Sequence, residues 1–528
     1  MHRAQADLQI RELLQPTAFP HSVRSIELRE THVSWVVLTG SYAYKVKKPV
    51  KLDFLDTSTL QQRRHFCEEE LRLNRRLAPE LYLDVVSIGR EAGHAVVGSG
   101  EPAIEYAVRM RQFPESDELP ALLARGEIDA AQLSELGGQL ARFHASAAVA
   151  PPSRAPERTL QMCDLVRANL TQLSEQMASL RLASGADLSR LAAWTQATLR
   201  LLQPMFQLRE QCGFVREGHG DLHAANIVAW RARLVPFDCI EFDPRLRWID
   251  EMDDVAFLVM DLAKRERSDL AFALLSRYLE TGGDYDGVRL LPFYAVYRAL
   301  VRAKVEVLRG AQLQAVDDDL EQRVRRDLAA AASWMEPQHP TMVLMHGVSG
   351  SGKSWLSERL VPELRAVRIR SDLERKRLAG IAAAQSARAG SHEGIYSPEL
   401  TRRTYGRLAE CAQSCLRAGL SVIVDASFLR HADRVMFRRL AADMRVPCVI
   451  VACRAEPATL TARLSERARA RNDASDATLS ILDAQLRSNH ALEPSEERCA
   501  ILVDTTGTDA VRRVASEISL KRSPLPSR

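Results

Sequence analysis

The chain has 528 residues, 46% hydrophobic and 27% charged, enough for two or three cores at typical domain sizes of about 100 to 200 residues. With 72 basic and 68 acidic residues the formal charge is only +4, so there is no polyelectrolyte signature and nucleic acid is not indicated as a partner, though it stays open for the C-terminal part. No run approaches the roughly 18 apolar residues of a membrane span, the start Met1-His-Arg-Ala-Gln-Ala-Asp7 has no apolar signal core, and the nine cysteines are odd in number without a Cys-x-x-Cys pair; a cytoplasmic protein with neither membrane contact, zinc site nor disulfide framework is expected.

Val33–Leu38 and Tyr42–Lys48 read as two strands joined at Thr39-Gly40-Ser41, a hairpin signal. Period two puts Lys45 and Lys47 on one face, Tyr44 and Val46 on the other. Lys45 sits mid-strand after apolar neighbours, whereas Lys47 and Lys48 run into Pro49 and are expected in solvent. Residues Leu60 to Leu77 read as a helix carrying Glu68, Glu69 and Glu70; Leu73 and Leu77 place Glu70 beside its inward face. Segments 156–210 and 265–330 alternate Leu or Ala with charges at helical spacing.

Between those segments lies His219-Gly-Asp221-Leu-His-Ala-Ala-Asn226, then Val235-Pro-Phe-Asp238-Cys-Ile-Glu241-Phe-Asp243. An acid and an amide five residues apart on a tight loop, with another acid ending the next strand, are the parts of a kinase-type catalytic loop and its metal-binding Asp. Asp221 suits the acceptor of a hydroxyl proton, and Asn226 and Asp238 offer oxygens to Mg²⁺, a hard cation. Gly-Asp alone is an ordinary turn dipeptide; the spacing of all three carries the reading.

Trp334-Met-Glu-Pro337-Gln-His-Pro340 stops the preceding Ala-rich helix and divides residues 1–335 from 341–515, with 336–340 as linker and 516–528 expected as a disordered tail. The apolar run Met342–Met345 then leads into Gly347-Val348-Ser349-Gly350-Ser351-Gly352-Lys353-Ser354 and a helix-like stretch from Trp355, a complete phosphate loop with strand and helix in place. Its backbone N–H groups would cradle the phosphates of ATP, Lys353 would reach the β- and γ-phosphates, and Ser354 would hold Mg²⁺.

Arg365–Arg370 reads as the next strand, with Asp372 just past its carboxyl end, where open α/β sheets gather their chemistry. Asp372 is a candidate base for a hydroxyl acceptor and equally a helix N-cap. Cys411 and Cys415, four apart on a predicted helix, are read as small buried residues. Gly419–Val424 is an apolar strand ending in Asp425, which suits a Walker-B-like metal residue or a simple strand-ending acid. Arg463 and Arg467, i and i+4 on a helix after the strand Val449–Cys453, can clamp phosphates, with Asn472–Asp476 as a closing lid; the alternative is a solvated basic face.

Residues 30 to about 310 resemble the aminoglycoside phosphotransferase family, the small-molecule branch of the protein-kinase-like fold, on His219–Asn226, Asp238 and Ile249-Asp-Glu-Met-Asp-Asp254-Val-Ala256. Leu136–His144 resembles the helix leading toward that family's catalytic segment. The phosphate loop, Ser371-Asp372-x-x-Arg375, Val424-Asp425-Ala-Ser-Phe428 and the arginine helix resemble the P-loop kinase group of gluconate kinases, polynucleotide 5′-kinases and zeta-type toxins. The pair in tandem is similar to bacterial bifunctional aminoglycoside phosphotransferase and ATP-binding proteins.

These resemblances imply an α+β protein-kinase-like N-terminal domain, with a small β-rich lobe over about 20–112 and a helical lobe over about 113–335, followed by an α/β P-loop domain with a parallel sheet. The small lobe must then supply a phosphate-binding lysine and a helix acid to hold it, for which Lys45 and Glu70 are chosen. The pattern departs in one respect: no Gly-x-Gly-x-x-Gly precedes the lysine strand, only Gly40. Asp254 is either an anchor behind the catalytic loop or an exposed helix-start acid. Acceptor pockets of that family are commonly acid-rich, and Glu241, Asp243, Asp250, Glu251, Asp253 and Asp254 supply negative charge here, or else caps and solvated surface.

The expectation is an ATP- and Mg²⁺-dependent tandem phosphotransferase acting on small-molecule hydroxyls. A nucleotide-gated regulatory protein and an ATPase with one silent half are its alternatives.

Overall fold

The computed structural model describes residues 10–31, 33–52, 55–100, 102–183, 185–313, 318–381, 397–470, 479–487, 489–507 and 509–522. The chain forms two compact units. Unit 1 comprises Met1–Ile128, Phe143–Val166 and Gln203–Leu258; unit 2 comprises Asp129–Arg142, Arg167–Leu202 and Val259–Arg528. The described residues of 259–335 thus cluster with the parallel sheet and not with the segment around His219–Asn226: the prolines at 337 and 340 end a helix, but helix Ser268–Gly282 still packs on helix Lys353–Leu364 and on the strand Ala366–Arg370.

Unit 1 begins with strands β1 (Glu27–Glu30), β2 (Ser34–Leu38) and β3 (Tyr42–Lys47), then the short pair β4 (Lys51–Leu52) and β5 (Leu55–Asp56). Strands β6 (Tyr82–Glu91), β7 (His94–Val97) and β8 (Glu105–Arg111) complete an antiparallel sheet of order β1-β2-β3-β8-β6-β7. The hairpin register sets Val36 opposite Lys45 and Trp35 opposite Val46. Alternation then works as the pattern requires. Tyr44 and Val46 enter one apolar cluster with Trp35, Val37 and Phe19, and the opposite face packs on helix Leu60–Asn74 through Cys67, Tyr82 and Val108.

That helix starts at a capping box in which Thr59 and Gln62 exchange hydrogen bonds, and it ends three residues earlier than expected. Asn74 closes it by donating from Nδ2 to Glu70 O. The segment around His219–Asn226 runs from β9 (Val215–Glu217) to the hairpin β10 (Ile227–Trp230) and β11 (Arg233–Pro236), followed by β12 (Trp248–Asp250) beside β9.

Unit 2 holds the parallel sheet of β13 (Met342–His346), β14 (Ala366–Arg370), β15 (Ser421–Asp425), β16 (Cys448–Arg454) and β17 (Ala500–Asp504), in the order β14-β15-β13-β16-β17. Every β13 residue is buried, as the continuous apolar run of a sheet covered on both faces demands. Residues 516–522 are not a loose tail: they finish helix Ala510–Arg522, whose Val514, Ala515 and Ile518 are buried against β13, β16 and β17. The rest of that expected tail, 523–528, lies outside the described residues. No helix among the described residues is long and apolar enough to cross a membrane.

Candidate functional site

In unit 1 the small-lobe face that carries Lys45 and Lys47 meets Glu70, and a line of alternating charges results. Lys45 Nζ lies 2.8 Å from Glu70 Oε1 and 2.5 Å from Asp238 Oδ1. Lys47 Nζ lies 2.5 Å from Glu70 Oε2 and also pairs with Glu241. Lys47 and Lys48 are therefore not solvated: they are 2% and 4% exposed. Period two already carried the signal for Lys47, since any strand that turns Lys45 onto Glu70 turns Lys47 there too, whereas Lys48 faces the other way and pairs with Glu30 at 2.6 Å. Burial works against the Lys45 ammonium, but Asp238 and Glu70 outweigh it and hold its pKa well above the ordinary lysine value. Burial likewise opposes the Glu70 carboxylate, and the two lysines bring its pKa down to about 2. Both lysines and Glu70 are charged at neutral pH.

The loop 218–226 is held from behind by Asp254. Its Oδ2 accepts from His219 N at 2.7 Å and its Oδ1 from Gly220 N at 2.9 Å, while His144 Nε2 stands 3.1 Å from Oδ2. Asp254 is completely buried, so the anchor reading stands and the exposed helix-start reading does not. Burial disfavours its charge, yet the His144 hydrogen bond and these donors hold its pKa below the usual carboxylate range. His219 is also buried, which lowers its pKa; as a neutral ring it donates from Nε2 to Phe237 O at 2.9 Å and accepts from Asp221 N at Nδ1.

So braced, the loop brings its polar side chains together. Asn226 Nδ2 donates to Asp221 Oδ2 and to Asp221 O, both at 3.0 Å, which leaves the amide oxygen as the atom suited to a cation. The side chains of Asp221 and Asp238 are 36% and 41% exposed, open enough to meet a substrate. Asp238 adopts φ 64°, left-handed backbone that Asp tolerates better than most residues; its N–H donates to the Tyr82 hydroxyl, and Asn74 Oδ1 takes the next one, from Cys239.

The acids considered for an acceptor pocket are committed elsewhere. Glu241 pairs with Lys47, Asp243 caps the turn at Arg245, Arg209 grips Asp250 through two bonds of 2.7 and 2.8 Å, and Glu251 pairs with Arg216. Asp253 is buried. Glu241, Asp243, Asp250 and Glu251 thus each have a basic partner inside the unit, and all of these acids are buried.

In unit 2 the loop 347–352 leaves the carboxyl end of the central strand β13 and enters helix Lys353–Leu364. Gly347 at φ 140° and Gly352 at φ 86° take conformations that L side chains rarely adopt, and a Cβ would stand 2.6 Å from Cys453 O in the first case and 2.4 Å from Thr505 Oγ1 in the second. Ser351 N donates to Val348 O, and Ser349 N donates to Gln485 Oε1 at 2.7 Å. Lys353 Nζ bonds Val348 O at 2.8 Å, so its ammonium lies within the curl of the loop.

Asp425 closes β15, is 5% exposed, and accepts at Oδ2 from Ser357 Oγ at 3.0 Å, one turn along the helix from Ser354. Asp372 stands two residues beyond β14, and the register sets Arg370 opposite Asp425, so both acids lie at the same edge of the sheet. Asp372 is not the N-cap: Arg370 holds that position and Asp372 sits in the first turn.

Arg463 reaches the loop but binds protein atoms, Gly350 O at 3.2 Å and Thr505 Oγ1 at 2.9 Å, and here it braces the loop. The side chain of Arg467 and the lid segment 472–476 lie outside the described residues. Thr505, which also donates to Ser351 O at 2.9 Å, was not foreseen, nor was Gln485; neither belongs to a sequence motif. Cys411 and Cys415 are buried and free. Among the described residues no group of three or more His, Cys, Asp or Glu is placed to hold a metal alone. The oxygen donors Asn226 with Asp238, and Ser354 with Asp425, suit a hard cation that brings further oxygens on a phosphate.

The family model AAA_33, described as an AAA domain, matches residues 342–492. The uncharacterized protein Rv2004c of Mycobacterium tuberculosis strain H37Rv is 31% identical over 483 residues, covering 90% of this chain and 93% of that protein. Among solved structures, a choline kinase from Cryptosporidium parvum Iowa II covers 62% of this chain and 95% of its own at 10% identity and TM-score 0.38. A gluconokinase from Sinorhizobium meliloti 1021 covers 35% of this chain and 98% of its own at 21% identity and TM-score 0.25.

Proposed function

The chain belongs to the family of the uncharacterized mycobacterial protein Rv2004c, and from that premise we propose that it is an ATP-dependent phosphotransferase with two modules, each moving the γ-phosphoryl group to a hydroxyl of a small molecule. The observation that supports this reading is that each compact unit gathers its own set of groups whose chemistry suits phosphate: Lys45, Glu70, Asp221, Asn226 and Asp238 in unit 1, the loop 347–354 with Asp425 and Asp372 in unit 2.

In unit 1 Asp221 takes the proton of the attacking hydroxyl. Lys45, oriented by Glu70, exchanges its Asp238 contact for phosphate oxygens. In unit 2 the backbone N–H groups of the loop and Lys353 hold the phosphates, Asp372 orients the acceptor, and Arg463 turns from Gly350 O to the transferring group. Mg²⁺ arriving with ATP would neutralise phosphate charge between Asn226 and Asp238 in one unit and between Ser354 and Asp425 in the other. Catalysis is then chiefly positioning and charge neutralisation. Nine free cysteines and the use of ATP favour the reducing cytoplasm. The internal pairing of the unit 1 acids disfavours a polycationic acceptor such as an aminoglycoside.

The test is transfer from γ-labelled ATP by wild type, Asp221→Ala and Lys353→Ala against a metabolite extract and an aminoglycoside panel, with products separated by mass. A labelled small molecule lost in one variant alone supports the reading and assigns the acceptor to a unit. Label found only as free phosphate would favour an ATPase, and tight ATP binding without turnover a nucleotide sensor.

A further inference from the structure

Within unit 2 one buried guanidinium joins helix Ser268–Gly282 to the start of the P-loop helix. Arg368, third of the five residues of β14, is 4% exposed. Its Nε lies 2.5 Å from Glu280 Oε1 and one Nη 3.2 Å from Oε2, a two-toothed grip on a carboxylate that is itself 2% exposed. The other Nη donates to Ser354 O at 3.1 Å and lies 3.5 Å from Ser357 Oγ. Ser357 Oγ in turn donates to Asp425 Oδ2. The Arg368 backbone is pinned from the same side: its N–H donates to Ser276 Oγ at 3.0 Å, and its carbonyl accepts from the Tyr285 hydroxyl at 3.3 Å.

A guanidinium is planar and its donors diverge at fixed angles, so a carboxylate that grips one edge sets where the other edge points. Here that edge points at the carbonyl of Ser354 and, through Ser357, at Asp425. A buried ion pair is weak evidence of stabilisation, because well-packed apolar residues often do as well. Fixing a hydroxyl and a carboxylate at a phosphate site is something apolar residues cannot do.

We propose that Glu280 and Arg368 are positioning residues for the P-loop site: helix Ser268–Gly282 sets, through Arg368, the placement of Ser354, Ser357 and Asp425, so the nucleotide affinity of the loop depends on a segment that precedes it by about 70 residues in sequence. This inference rests on the reading of that loop as a nucleotide site. It goes beyond that reading in making the P-loop site incomplete without residues 268–286.

The experiment uses the full chain carrying Asp238→Ala, so that unit 2 dominates, and reads two quantities: the affinity for a fluorescent ATP analogue with Mg²⁺, and amide hydrogen exchange over residues 353–357. Glu280→Gln keeps the shape and removes the charge; it should weaken the analogue about 10-fold, the scale of a lost charge-assisted hydrogen bond, and speed exchange over 353–357. Ser276→Ala, a milder change, should shift both in the same direction by less and serves if Glu280→Gln fails to fold. Combining Glu280→Gln with Ser357→Ala should give less than the product of the two single effects. Glu280→Gln that lowers the melting temperature while affinity and exchange stay at the parent values would reduce the pair to a structural role and overturn the proposal. Lys353→Ala in the same background separates the two levels: if it leaves analogue affinity unchanged, the P-loop reading itself fails and the proposal goes with it.

Discussion

In unit 1 the candidate residues are side chains drawn from separate stretches between positions 45 and 238, and ion pairs and hydrogen bonds bring them together; in unit 2 a run of consecutive residues, 347–354, supplies the loop, and backbone conformation shapes it. The first arrangement depends on partners being present, the second on nothing larger than hydrogen standing at Gly347 and Gly352. The two sites should therefore break in different ways. Charge removal is the sharp tool for unit 1, and added bulk is the sharp tool for unit 2.

The largest effect is expected at Asp221. Asp221→Asn keeps the bond with Asn226 but removes the proposed base, and transfer by unit 1 should fall about 10² to 10⁴-fold with ATP affinity little changed. Single-turnover transfer set beside equilibrium binding checks this; equal losses in both would move Asp221 from catalysis to binding. Glu70→Gln comes next. It leaves two buried ammonium groups with one carboxylate each, Asp238 and Glu241, and should destabilise unit 1 by at most about 3 to 5 kcal/mol, less to the extent that those carboxylates compensate. Denaturant unfolding followed by Trp35 fluorescence would read it, and an unchanged midpoint would mean that the charge line does not hold the small lobe.

In unit 2 the matching change is Gly352→Ala. A φ of 86° and a Cβ 2.4 Å from Thr505 Oγ1 impose strain of about 1 to 3 kcal/mol at the loop proposed to hold phosphate. ATP affinity of unit 2 should drop by about 10 to 100-fold, with unit 1 transfer unaffected. Adding Thr505→Ala removes the clash but not the backbone strain, so it should recover part of the loss. Full recovery would show that space, and not φ, governs this position.

The same contrast explains what could be read in advance. The phosphate loop was legible in full because its residues are contiguous and its glycines answer to local backbone geometry. The meeting of Asp221 with Asn226, and the place of Asp238 after the hairpin, were legible from spacing along one loop and hairpin. The Lys47–Glu241 pair spans 194 residues, and the clasp of Asp254 by His144 spans 110; both exist only after the sheet and helices have packed. Arg368 and Glu280 carry no motif, and the linker prolines hid their meeting, since a break in a helix says nothing about which surfaces later pack. Thr505 follows the last strand of the sheet, so the order of strands, not the sequence near 505, places it beside the loop.

The smallest effect sets the two units against each other by pH. In unit 1 Glu105 is buried beside Arg63, and burial pushes its pKa up to about 7. A raised folded value means that its contribution is fully present below the ordinary glutamate value of 4.5 and is lost as pH rises through about 7. In unit 2 His346, also buried, has its pKa pushed down to about 4, while Nδ1 donates to Phe428 O. That contribution is present above the ordinary histidine value of 6.5 and is lost as pH falls toward 4. Glu70, at about 2, does not begin to lose its share until pH falls below 4.5. Between pH 6.5 and 4.5, then, acid strengthens the small lobe and weakens the P-loop sheet, each on the order of 1 to 3 kcal/mol. Amide exchange, corrected for the intrinsic pH dependence, should show protection rising over residues 34–47 and falling over 342–346 across that window. His346→Asn should flatten the second trend and leave the first untouched. Loss of protection in both segments together would mean that the two units unfold as one and that these two groups do not set their separate responses to acid.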